Sequence, residues 1–81
     1  MLTGIQIRAA RAALGWSVIF LASRAGVAAK TISRFEEVDG VPAGRLSTMM
    51  DVRAALESAG IEFIGGPDDR PGIRLTVTSR A

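Results

Sequence analysis

The chain has no cysteine, no histidine and no tyrosine. Without cysteine no disulfide supports the fold, and the redox compartment stays open. Without histidine and cysteine the commonest general base, the thiol nucleophile and the usual zinc ligands are missing. The acids show no pairing that builds a cleft, and 81 residues leave little room for a substrate pocket. The residues therefore argue against an enzyme, a metal site and a bound cofactor. Aromatics are scarce too: Trp16, Phe20, Phe35 and Phe63 are all there are. The core must rest on Leu, Ile, Val, Met and Ala, and alanine-rich apolar stretches favour closely packed helices. No apolar run approaches a membrane span, and the N-terminus has no leader-like pattern. The expectation is a cytoplasmic protein of bacterial type with no membrane partner.

Acids are absent from the first 35 residues, which carry Arg8, Arg11, Arg24, Lys30 and Arg34. All eight acids lie between Glu36 and Asp69, and Arg70, Arg74 and Arg80 make the end basic again. The net charge is only +2, so its layout says more than its size. A one-sign block suits a polyanion such as DNA, although an uneven soluble surface has the same look.

The length is room for one domain with one modest core. Residues 3–14 read as a helix capped by Thr3, with Ile7, Ala10 and Leu14 on one face and Gly15 as a stop. Ser17 caps a short second helix, Val18 to Arg24, with Leu21 and Ala22 inward. Gly26 follows it, where a tight turn with positive φ is expected. A third helix is predicted from about Ala28 to Phe35, burying Ile32 and Phe35. Asp39-Gly40 and Pro42 mark a loop from Glu37 to Gly44. A fourth helix, about Arg45 to Ala59, sets Leu46, Met49, Val52, Leu56 and Ala59 on one stripe, and Gly60 ends it. The tail changes period. Ile61 and Phe63 alternate with Glu62, and Ile73, Leu75 and Val77 alternate with polar residues, which is strand logic. The stretch Gly65 to Gly72 reads as a loop. It lacks the Gly-Lys-Ser/Thr of a phosphate cradle, and Asp68-Asp69 reads as two solvated acids.

From Leu14-Gly15-Trp16-Ser17 through Glu36 the chain resembles the XRE (phage-repressor-like) helix-turn-helix family. Leu21-Ala22-Ser23-Arg24-Ala25-Gly26-Val27 resembles that family's second helix and turn. Lys30-Thr31-Ile32-Ser33-Arg34-Phe35-Glu36 resembles its recognition helix. With the flanking helices, the resemblance spans about residues 3–60. It implies a mostly α fold: a four- to five-helix bundle, lambda-repressor-like, with a helix-turn-helix and a C-terminal β-hairpin. Residues 1–60 would be the DNA-binding part and residues 61–81 a hairpin within the same compact unit.

Carried over by position, the resemblance puts Ser17 and Val18 at the DNA backbone. Ala29, Lys30 and Arg34 face the major groove, with Thr31 and Ser33 near phosphate or base and Arg45 on a phosphate. Lys30 or Arg34 would donate to guanine O6/N7, and the Ala29 methyl would touch a thymine methyl. Arg11 and Glu36 correspond to a structural ion pair. The chain departs from the family where Val18 replaces a usual Gln, Phe20 a polar or acidic residue, and Ala28 a Ser or Thr cap. Lys30, Thr31, Ser33 and Arg34 also fit a solvated helix face.

Two functions stay open. The first is a sequence-specific regulator of double-stranded DNA, a repressor working as a homodimer on an inverted-repeat operator. The second is a protein-interaction module, antitoxin-like or anti-activator, that holds a protein partner through Val18 and Phe20. Four adjacent apolar residues, Val18 to Leu21, cannot all point inward on one helix. Either an apolar patch is exposed there, or Phe20 folds back onto Trp16 or the tail. For the dimer, the apolar face of Ile61, Phe63, Ile73, Leu75 and Val77 is the expected interface, because a lone hairpin is marginal and its edges are open. The alternative is that the hairpin packs on its own helix 4.

Overall fold

The computed structural model describes residues 2–76. Helices α1 (Gly4–Leu14), α2 (Val18–Ala25), α3 (Ala29–Glu36) and α4 (Leu46–Ser58) precede strands β1 (Ile61–Gly66) and β2 (Asp69–Leu75). The strands pair antiparallel as one hairpin. The fold is thus mostly helical with a C-terminal hairpin, in the predicted order. No single helix among the described residues is long and apolar enough to cross a membrane.

Local chemistry sets the helix ends. The Thr3 hydroxyl accepts from the Gln6 N–H at 3.2 Å, and the Gln6 side chain returns the bond to the Thr3 N–H at 2.9 Å. This reciprocal capping box satisfies two donors that the first turn would leave orphaned. The Ser17 hydroxyl accepts from the Phe20 N–H at 3.0 Å and opens α2. Gly26 closes it at φ 72°, a conformation that costs a side-chain-bearing residue about 1 kcal/mol or more. Gly4 is needed for a different reason. A Cβ there would collide with the carbonyl oxygens of Val38 and Phe35, so α1 passes directly against the α3–α4 loop.

The core holds Leu2, Ile7, Ala10, Leu21, Ala22, Ile32, Phe35, Met49, Val52, Leu56 and Ile61. Every residue that the helical spacing sends inward is there except three. Leu14 packs half-buried on its edge. Ala59 is half-buried. Leu46 corrects the stripe reading, because it is 57 % exposed. It is the first residue of α4, and α4 packs on α2 and β1 through Met49, Val52 and Leu56 further along. Periodicity counts Leu46 into the stripe, but no neighbouring element covers that first turn.

The hairpin also departs from its reading. Gly65 to Gly72 is not all loop: Ile64 pairs with Gly72, Gly66 pairs with Asp69, and only Pro67-Asp68 turns. Between those pairs Gly65 alone opposes Arg70 and Pro71, which makes a bulge. A bulge is where a strand tolerates proline and glycine, so breaker composition overstated the loop.

Its seat is equally definite. β2 packs on α1 and β1 on α4. The buried Gln6 amide nitrogen donates to the carbonyls of Ile64 (3.2 Å) and Gly72 (2.9 Å), one cross-strand rung. Ile61 is only 3 % exposed, and Phe63 and Ile73 pack against the core. Of the apolar face expected to meet a second chain, Leu75 alone among the described residues is exposed. Val77 lies outside the described residues. The hairpin therefore uses most of that face at home, on α1 as well as on helix 4.

Gln6→Leu keeps the volume but strands the Thr3 N–H and the two hairpin carbonyls. The expected loss is roughly 2–4 kcal/mol in urea unfolding, with faster hydrogen exchange at the hairpin amides. Unchanged stability and protection would show that Gln6 does not anchor the hairpin.

Candidate nucleic-acid interface

α2 and α3 pack together and are joined by three residues, Gly26, Val27 and Ala28. The N–H groups of Gly26 and Val27 both donate to the Ala22 carbonyl, at 2.9 and 3.0 Å, which closes the turn tightly. On α3, Ile32, Phe35 and Glu36 are buried, while Lys30, Ser33 and Arg34 are exposed. Lys30 and Arg34 are four apart and so lie one above the other on the same side of the helix. Thr31 and Ala29 are half-buried, and Ala29 leans on the core, so its methyl is only partly free. Ser17 and Arg45 are exposed. Val18 is half-buried against the core and presents no polar group, so packing occupies it.

The helix N-termini differ. α1 and α2 are capped by side chains, whereas Ala28 and Arg45, which precede α3 and α4, supply no capping bond. No acid sits in the first turn of any of the four. The free N–H groups of α3 and α4 thus keep their partial positive charge, which favours anions.

The ion pairs sort the cations. Arg8 pairs with Asp39, Arg11 with Glu36, Arg53 with Glu57, Arg70 with Asp69 and Arg74 with Glu62. Among the described residues this leaves Arg24, Lys30, Arg34 and Arg45 without a carboxylate partner. All four lie on α2, on α3 or at the cap of α4. Sequence reasoning did not single out Arg24; its only signal was membership of the acid-free block. Its guanidinium carbon stands 5.4 Å from the Trp16 ring centre and 5.8 Å from that of Phe20. Those rings meet edge to face at 4.9 Å. Phe20 therefore folds onto Trp16, the second of the two arrangements open to it, yet remains 43 % exposed beside Ile19 at 72 %.

Arg11 and Glu36 form a two-pronged ion pair. Nε donates to Oε2 at 2.9 Å and Nη2 to Oε1 at 2.8 Å, while Nη1 donates to the Trp16 carbonyl at 3.1 Å. One guanidinium thus ties α1, the end of α3 and the entry to α2 together. Arg8 adds a bond to the Glu36 carbonyl. The Glu36 hydrogen bond raises the Arg11 pKa, with burial opposing and the Glu36 charge assisting. A raised cationic pKa contributes stability that is complete below the unfolded value and lost only in strong alkali, so the Arg11 side of the pair holds throughout the neutral range.

Glu36→Gln removes the charge but not the shape. The expected cost is about 2 kcal/mol, roughly 10 °C in melting temperature for a domain of this size. An unchanged melting temperature would show the pair to be ornamental. Ala28→Ser supplies the missing cap and should stabilise by about 1 kcal/mol in the same measurement. No known family model matches the chain, and no curated protein matches it.

Proposed function

We propose that the chain is a helix-turn-helix regulator of the XRE-like kind, a repressor that binds double-stranded DNA as a homodimer on an inverted-repeat operator. The observation that carries this reading is the sorting of charge. Carboxylates neutralise the cations of α1, the second half of α4 and the hairpin. Those of α2, α3 and the α4 cap stay free. An exposed cation with no internal partner is available to release counterions from a phosphate backbone.

In this reading α3 enters the major groove, which admits one helix. Lys30 and Arg34 reach guanine edges, and Thr31 and Ser33 reach phosphate or base. Ser17 keeps a hydroxyl proton to donate to phosphate, since its oxygen is the acceptor in the cap. Arg45 and the bare α4 N-terminus hold another phosphate. Ala29 and Val18 contribute packing more than contact. The Arg11–Glu36 pair keeps α3 at a constant height above the core.

One observation favours the second reading, a protein-interaction module: Ile19 and Phe20 are exposed on α2. Ile19, rather than the half-buried Val18, would then be the main contact alongside Phe20. Ile19→Lys separates the two. It should abolish capture of a protein partner and leave DNA affinity unchanged or slightly stronger.

The direct test is a gel shift on the chain's own upstream DNA at several salt concentrations. Affinity should fall with a log–log slope of about −3 to −4 per chain if the four free cations each engage a phosphate, and less steeply if some read bases. Lys30→Ala and Arg34→Ala should each cost about 1–3 kcal/mol on the preferred sequence, whereas Arg45→Ala should weaken all sequences evenly. Folded variants that bind like the parent, or no shift at low salt, would refute the reading.

A further inference from the structure

Of the four unpaired cations, Arg24 alone has no contact of its own in the DNA reading. It makes no ion pair among the described residues. Two rings hold its guanidinium instead, with centres at 5.4 Å (Trp16) and 5.8 Å (Phe20). Both distances lie within the range of cation–π attraction, which fixes where the charge stands. Arg24 also lines a shallow groove with Asp51, Ala54 and Ser58, along the middle and end of α4 and away from the Arg45 cap. The surface beside it is apolar. Trp16 and Phe20, with Gly15 and Ser17, line an open hollow of about 380 Å³, and Ile19 stands exposed next to Phe20.

We propose that this face of α2 docks an acidic, amphipathic segment of another protein. That segment sets a bulky apolar side chain on Trp16 and Phe20 and a carboxylate on Arg24. Charge complementarity singles out this partner. A guanidinium resting on rings keeps N–H donors at its edge, and a carboxylate takes two of them side by side. A purely apolar partner would bury the Arg24 charge without a counter-charge, which is costly. A polyanion fits less well than one carboxylate, because Asp51 shares the groove and repels every further negative charge. Phe20 and Arg24 are one helical turn apart. The partner's two groups should therefore stand about 6 Å apart, as residues three or four positions apart on a helix do. The inference deepens the protein-partner reading and rests on it, not on DNA binding.

The probe is a phage-displayed library of random peptides, selected against the full chain. Selected peptides should pair a bulky apolar residue with Asp or Glu three or four positions away. Their binding should shift the emission of Trp16, which is readable because the chain has one tryptophan and no tyrosine. Arg24→Gln and Phe20→Ala should each weaken them about tenfold while the chain keeps its helical circular dichroism. Arg24→Lys keeps the charge but not the planar fork, so it should recover only part of that loss. Lys30→Gln and Arg34→Gln should leave peptide affinity unchanged. No enriched peptide at this face would sink the inference and the protein-partner reading together. Peptides that need Ile19 and Phe20 but ignore Arg24→Gln would sink the inference alone and keep that reading. Peptides weakened equally by Lys30→Gln, Arg34→Gln and Arg24→Gln would mark a general attraction for polyanions and overturn the docking site. None of these measurements contains DNA, so the regulator reading stands or falls separately.

Discussion

A buried carboxamide has to fill all of its hydrogen-bonding positions or forfeit its place in the core, and Gln6 fills them. Its oxygen accepts from the Thr3 N–H and hydroxyl, and its nitrogen donates to the Ile64 and Gly72 carbonyls. One side chain thereby completes the start of α1 and holds both strands of the hairpin at a single rung. The consequences spread outward. A hairpin held there buries Ile61 and lays Phe63 and Ile73 on the core. The largest uncovered apolar side chains are then found on the helices, with Leu46 and Met50 on α4 and Ile19 and Phe20 on α2. A two-stranded hairpin is marginal on its own, and here the helices supply what it lacks.

The second constraint is electrostatic. The acids begin only at Glu36, but the fold carries them back to the N-terminal helix. Glu36 meets Arg11 and Asp39 meets Arg8, across sequence separations of 25 and 31. Position, not composition, decides which cations remain free. α1 lies beside the end of α3 and the loop after it, so its arginines are neutralised. Arg24, Lys30 and Arg34 on α2 and α3 make no ion pair, although Asp51 of α4 lines the same shallow groove as Arg24. A chain with a net charge of +2 can in this way present a local positive surface without being basic as a whole.

Much of this was legible in the residues. Thr3 and Ser17 announce helix starts because a short side-chain oxygen is the obvious partner for first-turn N–H groups, and both do that work. Gly26 announces a turn because glycine alone takes a positive φ without penalty, and it does so here. Nine of the eleven core residues follow from helical spacing within α1 to α4. Of the other two, Leu2 precedes any period that could mark it, and Ile61 was read as strand but assigned to a partner. The exposure of Lys30, Ser33 and Arg34 also agrees with the pattern, because an amphipathic helix that buries Ile32 and Phe35 must turn its other side out.

By itself, then, the sequence determined what depends on neighbours three or four positions away: helix limits, inward faces, the tight turn and the acid-free block. Only the tertiary structure decided what depends on residues distant along the chain. Leu46 is exposed because no element covers the first turn of α4. The strands run through Gly65 to Gly72 because a bulge accommodates the proline. Gln6 reads as an ordinary helix residue until two carbonyls about sixty positions away are brought to its amide. The sorting of paired from unpaired cations is of the same kind. Side-chain periodicity is a property of one helix, whereas burial and ion pairing belong to the surfaces that helices present to one another.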